Sequence, residues 1–171
     1  SVRDLDAIAY GAGPGAFTGL RSACAVAQGL AFGAGRPVLA VDSLMIVAED
    51  ARAQLGVVVD AVWVAMDARM DEVYAAQYRW HAGEWQVLDA PALWTWQALA
   101  QRWIDAPPAC VAGTAPPVFG DRLPASHAAC VVAERDRPGA MLAIAQRRWA
   151  RRMTTPAAQA LPIYLRDKVA L

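Results

Sequence analysis

The feature that most constrains the fold is a glycine-rich segment near the start of the chain, GAGPGA at residues 11–16. It follows a short apolar run at residues 6–10 and precedes a long apolar stretch that ends at glycines and then Pro37. We therefore predict a helix from about Gly19 to the glycines at Gly33 and Gly35, with Thr18 as its N-cap, and a second strand at residues 37–42. This strand–loop–helix–strand order predicts two parallel strands joined by a right-handed crossover.

The loop and the first helical turn form a candidate anion or phosphate site. Glycines allow a close backbone approach, and a helix start presents unpaired N–H groups. Arg21 opposes the helix dipole there, so it needs a nearby anion or carboxylate. Two interpretations remain open: a bound phosphate, or a structural turn in which Arg21 pairs with an acidic side chain such as Asp42. The candidate residues are Gly13, Gly15, Thr18, Gly19 and Arg21.

A dinucleotide-binding enzyme is the alternative function that this unit leaves open. No Lys follows the glycines at the spacing of a Walker A loop. Gly11, Gly13 and Ala16 fit the loose form G-x-G-x-x-A, and Asp42 ends the next strand, where an acid would bind a ribose. Pro14 removes one backbone donor from the middle of that loop.

The predicted helix is apolar on nearly every side, since only Arg21, Ser22 and Gln28 are clearly polar. Such a helix must be covered on more than one face. Small side chains recur every four residues, which allows another helix to approach closely. That neighbour is either a partner subunit or a helix of the same chain. The residues predicted for a partner interface are Leu20, Ala23, Cys24, Ala27 and Ala31.

The remainder of the chain predicts the order βββαβα after a helix at residues 43–54 capped by Ser43. Strands are predicted at residues 57–66, 72–80 and 85–88, followed by a helix at 95–103, a strand at 109–112 and a helix at 138–153. The last six elements make a complete ribonuclease-H-like unit of class α/β, and the first four, βαβα, look like the same unit without its opening meander. The residues predicted at strand ends facing the junction between the lobes are Asp67, Arg69, Gly113 and Thr114. Asp67 and Arg69 could bind an anion or metal there, or form a salt bridge that stabilises the turn.

Composition narrows the classes of function. The formal net charge is +0, which argues against a protein that grips nucleic acid through its overall field. Three scattered cysteines lack disulfide or metal-ligand spacing, which predicts a cytoplasmic protein without a metal site. No nucleophile elbow is present. Four arginines near the end of the last helix suit either an RNA backbone or a solvated helix end: Arg147, Arg148, Arg151 and Arg152.

Several motifs together closely resemble the TsaB family, the bacterial accessory subunits that help to make threonylcarbamoyladenosine on tRNA. They are YGAGPGAFTGLR at residues 10–21 with AQGLA at 27–31, VLAVDSL at 38–44, DAR at 67–69 with EVY at 72–74, and PIYLR at 162–166. The string GPG-x-FTG-x-R is specific, and the matches span nearly the whole chain. Such proteins were once labelled M22 glycoprotease-like.

The resemblance implies an actin/sugar-kinase/Hsp70-like fold, with two ribonuclease-H-like lobes around a cleft. We expect residues 1–55 to be the remainder of a first lobe without its opening hairpin, and residues 56–171 to be the second lobe. It also implies a non-catalytic scaffold with no peptidase activity, needed by the catalytic paralogue TsaD for threonylcarbamoyl transfer to tRNA adenosine. The helix after the glycine loop would contact TsaD or form a homodimer. The ATPase subunit TsaE would belong to the same complex, and tRNA would be bound only through that complex. No membrane would be involved. This chain would not bind ATP or ADP tightly.

Overall fold

The computed structural model describes residues 1–56, 60–124 and 130–166, which form two sheets and the helices that cover them. The residues at 57–59, where the sequence predicts the start of a strand, lie outside the described part. In chain order the elements are β1 (Ile8–Gly13), α1 (Phe17–Ala34), β2 (Val38–Asp42), α2 (Ser43–Leu55), β3 (Ala61–Asp67), β4 (Glu72–His81), β5 (Glu84–Thr95), α3 (Trp96–Asp105), β6 (Cys110–Ala112), α4 (Ala115–Phe119), β7 (Cys130–Val132) and α5 (Arg137–Ala150).

The first sheet is the predicted parallel pair. β1 and β2 pair in register from Ile8 opposite Val38 to Gly11 opposite Val41, and α1 makes the crossover. Gly35, in the left-handed conformation, ends α1 as the sequence predicts. The start of α1 differs from the prediction, because the helix begins at Phe17 and the Thr18 side chain does not cap it.

The second sheet has the strand order β5-β4-β3-β6-β7. β3, β4 and β5 form the predicted antiparallel meander, and β6 and β7 then add in parallel to β3. β5 is longer than the predicted residues 85–88, and its Pro91 is tolerated because the strand lies at the sheet edge. The sequence did not predict the short elements α4 and β7.

A repeat of the order strand–helix–strand–helix relates the two sheets. β1, α1, β2 and α2 correspond to β6, α4, β7 and α5. In each unit a glycine with positive φ follows or ends the first strand: Gly13 at φ 118° and Gly113 at φ 117°. A Cβ on Gly13 would lie 2.5 Å from the Ile163 carbonyl oxygen, and one on Gly113 would overlap the Ala65 carbonyl oxygen. The chain therefore repeats a ribonuclease-H-like unit, as the sequence predicts.

Helices α2 and α5 pack against each other between the sheets. α2 is almost wholly buried from Ser43 to Ala51, and its apolar side chains join the core of the second sheet. Its N-cap is Asp42 rather than the predicted Ser43, because the Asp42 carboxylate accepts hydrogen bonds from the backbone of Leu44 and Met45. The Ser43 hydroxyl instead accepts a hydrogen bond from the backbone N–H of Gly13, at 3.2 Å.

Candidate functional site

A cleft of about 710 Å³ separates the glycine loop from the end of the second sheet. The loop before α1 and the first turns of α1 form one wall, and the β3–β4 turn forms the opposite wall. The C-terminal segment crosses the cleft, and Arg137 at the start of α5 reaches it. Predicted residues from both candidate sites line it: Gly15, Gly19, Asp67 and Arg69.

The first glycines of the loop make contacts within the protein. Gly13 is buried, and its N–H donates to Ser43, so it does not point freely at the cleft. Gly15 is half-buried, while Thr18 and Gly19 are exposed. Of these residues Gly15 and Gly19 line the cleft, and a role of the loop in anion binding stays a prediction.

Arg21 finds a different partner from the one expected. Its Nε donates to the Tyr164 hydroxyl at 3.1 Å, and its guanidinium lies 4.0 Å from the centre of the Phe17 ring. A cation–π contact and a hydrogen bond to a neutral hydroxyl thus replace the expected contact with the Asp42 carboxylate. Tyr164 is 143 residues away along the sequence, so no local pattern could have indicated the contact.

The Asp42 carboxylate connects the two sheets through hydrogen bonds within the protein. Its carboxylate caps α2 and accepts a 2.5 Å hydrogen bond from the Tyr78 hydroxyl on β4. Burial raises the pKa of Asp42, and burial together with the Asp42 charge raises the pKa of Tyr78. Because these bonds occupy the carboxylate, it is not free for the ribose contact that a dinucleotide-binding function needs.

The four residues predicted at the junction meet in space. The Asp67 backbone N–H donates to the Thr114 hydroxyl at 3.1 Å, and Gly113 packs against the end of β3. The Asp67 carboxylate accepts from the Arg69 backbone at 2.8 Å and forms an ion pair with its guanidinium at 3.2 Å. The geometry favours the structural salt bridge among the alternatives that the sequence left open.

The predicted interface side of α1 turns inward. Leu20, Cys24, Ala27 and Ala31 are all buried, and the last three pack with β1, β2 and Ala160. Small side chains let α1 approach the sheet and the C-terminal segment closely, so the neighbour is the chain itself. Ala23 alone among the five predicted residues is exposed. The prediction that this side meets a partner is therefore wrong for the four buried residues.

The opposite side of α1 is apolar and exposed. Phe32 is 79% exposed, Val26 60% and Leu30 43%. Three glycines on the same helix have no heavy atom within 4 Å of where a Cβ would stand: Gly19, Gly29 and Gly33. We call Val26, Leu30 and Phe32, together with these glycines, the outer face of α1. The sequence predicts that α1 is covered on more than one face, but the interface was assigned to the wrong side because α1 is apolar on both sides.

The arginine cluster on α5 is largely committed to the protein. Arg147 donates to the buried Glu49 at 2.7 Å, and Arg148 donates to the Ala40 carbonyl oxygen. Arg151 pairs with Glu84. Burial alone would raise the pKa of Glu49, but hydrogen bonds from Arg52 and Trp85 and the charge of Arg147 lower it. These contacts favour a structural role over RNA contact for most of the cluster.

Two features of the described residues bear on site chemistry and membrane contact. Among residues 1–56, 60–124 and 130–166, no three His, Cys, Asp or Glu side chains cluster closely enough to hold a metal ion. Within the same ranges, no helix has the length and apolar character needed to span a bilayer.

The fold and cleft define the class of protein. A ribonuclease-H-like sheet, a partial repeat of the same unit and a cleft between them are the features of the actin/sugar-kinase/Hsp70-like α/β class. Residues 1–103 match the family model described as "TsaD: tRNA N6-adenosine threonylcarbamoyltransferase". A solved structure from Pseudomonas aeruginosa, described as an uncharacterized protein with similarity to peptidase YeaZ, has a TM-score of 0.85 and 40% identity over 97% of this chain and 76% of that one.

Relatives specify the family further. The "tRNA threonylcarbamoyladenosine biosynthesis protein TsaB" of Escherichia coli is 36% identical over 99% of this chain and 74% of its own length. YeaZ from Pseudomonas aeruginosa has a TM-score of 0.84 and 40% identity over 96% of this chain and 76% of its own. The chain belongs to the TsaB family, as the motifs in its sequence predict.

Proposed function

We propose that the chain is a non-catalytic subunit in threonylcarbamoyladenosine biosynthesis and that it docks on a TsaD-type enzyme. The single observation that carries the docking proposal is the exposed apolar outer face of α1, with Phe32 79% exposed. The name of the Escherichia coli relative supports the place in tRNA modification. Charged groups at the cleft support an accessory role, because Asp67 pairs with Arg69 and Glu72 pairs with Arg166.

The outer face of α1 has the chemistry of a helix–helix contact. Phe32 lies on one flank of the exposed half of α1 and the aliphatic Val26 and Leu30 on the other, so each gains from burial, and the glycines between them allow a partner backbone to come close. Gly29 and Gly33 stand beside Val26 and Leu30 along the helix, so an apolar helix of a partner fits against them. A second copy of the chain is the competing occupant, and it would use the same face.

The remaining partners follow from that assignment. We expect the ATPase subunit TsaE to join the same complex, and we expect tRNA to be contacted through the complex rather than by this chain alone. Because the proposed reaction acts on tRNA, we expect the protein in the cytoplasm. We expect the cleft to have a structural role in the complex and to hold no tightly bound ATP or ADP.

The test is a reconstituted modification reaction. TsaD and TsaE enzymes from the same organism, tRNA and a threonylcarbamoyl-adenylate donor are combined with and without this protein, and modified adenosine is quantified. We expect product only when this protein is present. Phe32→Glu should reduce the rate at subsaturating protein by at least about 10-fold, since a buried aromatic anchor contributes about 2 kcal/mol or more to binding.

The matched control is Ile104→Glu, which adds the same charge at a similarly exposed apolar residue on α3. It should leave the rate unchanged. Full activity of the enzyme without this protein would overturn the accessory role. Equal activity of Phe32→Glu and the wild type would overturn the docking face.

A further inference from the structure

The C-terminal segment runs along both strands of the first sheet. Its Thr155 exchanges two 2.9 Å backbone hydrogen bonds with Val38 of β2, and its Ile163 N–H donates to the Ala12 carbonyl oxygen of β1 at 2.7 Å. Tyr10 donates its hydroxyl to the Leu161 carbonyl oxygen at 3.2 Å. We call residues 160–166 the strap. It is fixed to β1 along its middle while its two ends reach different elements.

One end and one side chain of the strap contact α1. The Ala160 carbonyl oxygen accepts from Gln28 at 3.0 Å and from the Cys24 thiol at 3.5 Å. Further along, the Tyr164 ring lies 5.4 Å from the Phe17 ring, and its hydroxyl accepts from Arg21. A displacement of the first turns of α1 would therefore displace Tyr164.

The other end of the strap contacts the β3–β4 turn. The Arg166 guanidinium donates to the Ala68 carbonyl oxygen at 3.0 Å and to the Glu72 carboxylate. This ion pair is largely sheltered, with 21% and 30% of the two side chains exposed. Arg166 thus holds the two ends of the turn at once, from a segment that belongs to the first sheet.

The turn that Arg166 holds has an unusual backbone. Arg69, Met70 and Asp71 have φ of 64°, 56° and 57°, so three consecutive residues with side chains adopt the left-handed conformation. L-residues avoid this conformation, and it persists where the surroundings fix it, often at functional sites. Two further hydrogen bonds to Asp71 help to fix the turn. The Arg122 guanidinium donates to the Asp71 carboxylate at 3.0 Å, and the Trp96 N–H donates to the Asp71 carbonyl oxygen at 3.3 Å.

We propose that the strap is a conformational link, through which the first turns of α1 control the left-handed β3–β4 turn at the mouth of the cleft. Arg166 holds the turn in its left-handed form, and Tyr164 sets the position of Arg166 relative to α1. A change at the α1 end of the strap is thereby transmitted to the second sheet. The link is built into the chain and stands independently of which partner binds the outer face of α1.

The test is amide hydrogen exchange of the whole protein, followed by NMR at the two amides that close the turn. These are Ala68, which donates to the Glu72 carbonyl oxygen at 2.9 Å, and Glu72, which donates to the Arg69 carbonyl oxygen at 3.0 Å. We expect Arg166→Met to accelerate exchange at both by at least about 10-fold, since the turn loses the groups that fix it. Arg102→Met, which breaks a comparable half-buried ion pair with Asp89, is the control and should change neither.

A second pair of variants separates the link from a local clamp. Met70→Gly removes the left-handed penalty at an exposed residue, so adding Arg166→Met to it should accelerate exchange by less than about 3-fold. Tyr164→Leu, altered only where the strap meets α1, should accelerate exchange at Ala68 and Glu72 by about 3-fold or more. If Arg166→Met is poorly folded, Arg166→Lys replaces it, with an intermediate effect because a single ammonium lacks the guanidinium fork.

Unchanged exchange at Ala68 and Glu72 in the Arg166 variant would overturn the proposal. The proposal would also be overturned if Tyr164→Leu accelerated amide exchange at Ile163 but not at Ala68 and Glu72. Arg166 would then be a local clamp without a connection to α1. Equal effects of Arg166→Met with and without Met70→Gly would show that Arg166 does not hold the left-handed backbone.

Discussion

Gly13→Ala is the substitution whose cost is easiest to derive from the structure. Gly13 has φ 118°, which an L-residue rarely adopts, and a new Cβ would stand 2.5 Å from the Ile163 carbonyl oxygen and 3.1 Å from a methyl of Leu20. The methyl of a flexible leucine can move, but the carbonyl belongs to the strap. The substitution therefore strains the backbone and displaces the segment that crosses β1.

The cost has two parts. A side chain in a sparsely populated backbone region costs about 1–3 kcal/mol. Moving the strap weakens the hydrogen bond from Ile163 to the Ala12 carbonyl oxygen, which adds about 1 kcal/mol. The sum is about 3 kcal/mol, and for a chain of this size it lowers Tm by about 10 °C.

The assay is urea unfolding followed by tryptophan fluorescence and circular dichroism, with Gly19→Ala as the matched control. Gly19 lies within α1, and nothing stands within 4 Å of the place that the new methyl group would take. Alanine is the better helix former there, so the control should gain about 0.5–1 kcal/mol. A Gly13→Ala protein within about 1 kcal/mol of the wild type would refute the account of the strap contact.

Two further substitutions test burial and charge. Glu49→Gln should cost about 2–3 kcal/mol near neutral pH, less than for a fully buried pair because Arg147 is 30% exposed. Since folding lowers the pKa of Glu49, its contribution is present above the usual value of 4.5 and is lost as pH falls through the lowered pKa. Urea unfolding across that range should give a shallower loss of stability for the variant, and an identical pH slope would contradict this. Ala27→Glu should prevent folding or cost several kcal/mol, whereas Val26→Glu on the outer face should stay within about 0.5 kcal/mol; equal melting temperatures would contradict the assigned orientation of α1.

Six of the seven described β-strands, the crossover and the fold class could be predicted because they depend on local patterns. Alternation and turn residues indicate the meander, and glycines with an apolar run indicate the β1–α1–β2 unit. The end of β5 was missed because residues 89–95 include Pro91 and do not alternate cleanly. Two adjacent residues suited to capping stand at Asp42 and Ser43, so the sequence alone could not decide which caps α2.

The orientation of α1 and the strap contacts could not be predicted, for physical reasons. A helix that is apolar on both sides has no periodicity that says which side the sheet covers. The contacts of Tyr164 with Arg21 and of Arg166 with Glu72 join residues about a hundred or more positions apart. Such pairs depend on the path of the whole chain, although the PIYLR motif marked the segment as a family feature.

The most direct measurement of the central claim is analytical ultracentrifugation of this protein with a purified TsaD enzyme. Samples contain each protein alone, both together, and the enzyme with Phe32→Glu or Ile104→Glu. We expect a one-to-one complex for the wild type and for Ile104→Glu, and separate components for Phe32→Glu at the same micromolar concentrations. Separate sedimentation of the wild-type protein and the enzyme, or an undiminished complex with Phe32→Glu, would contradict it.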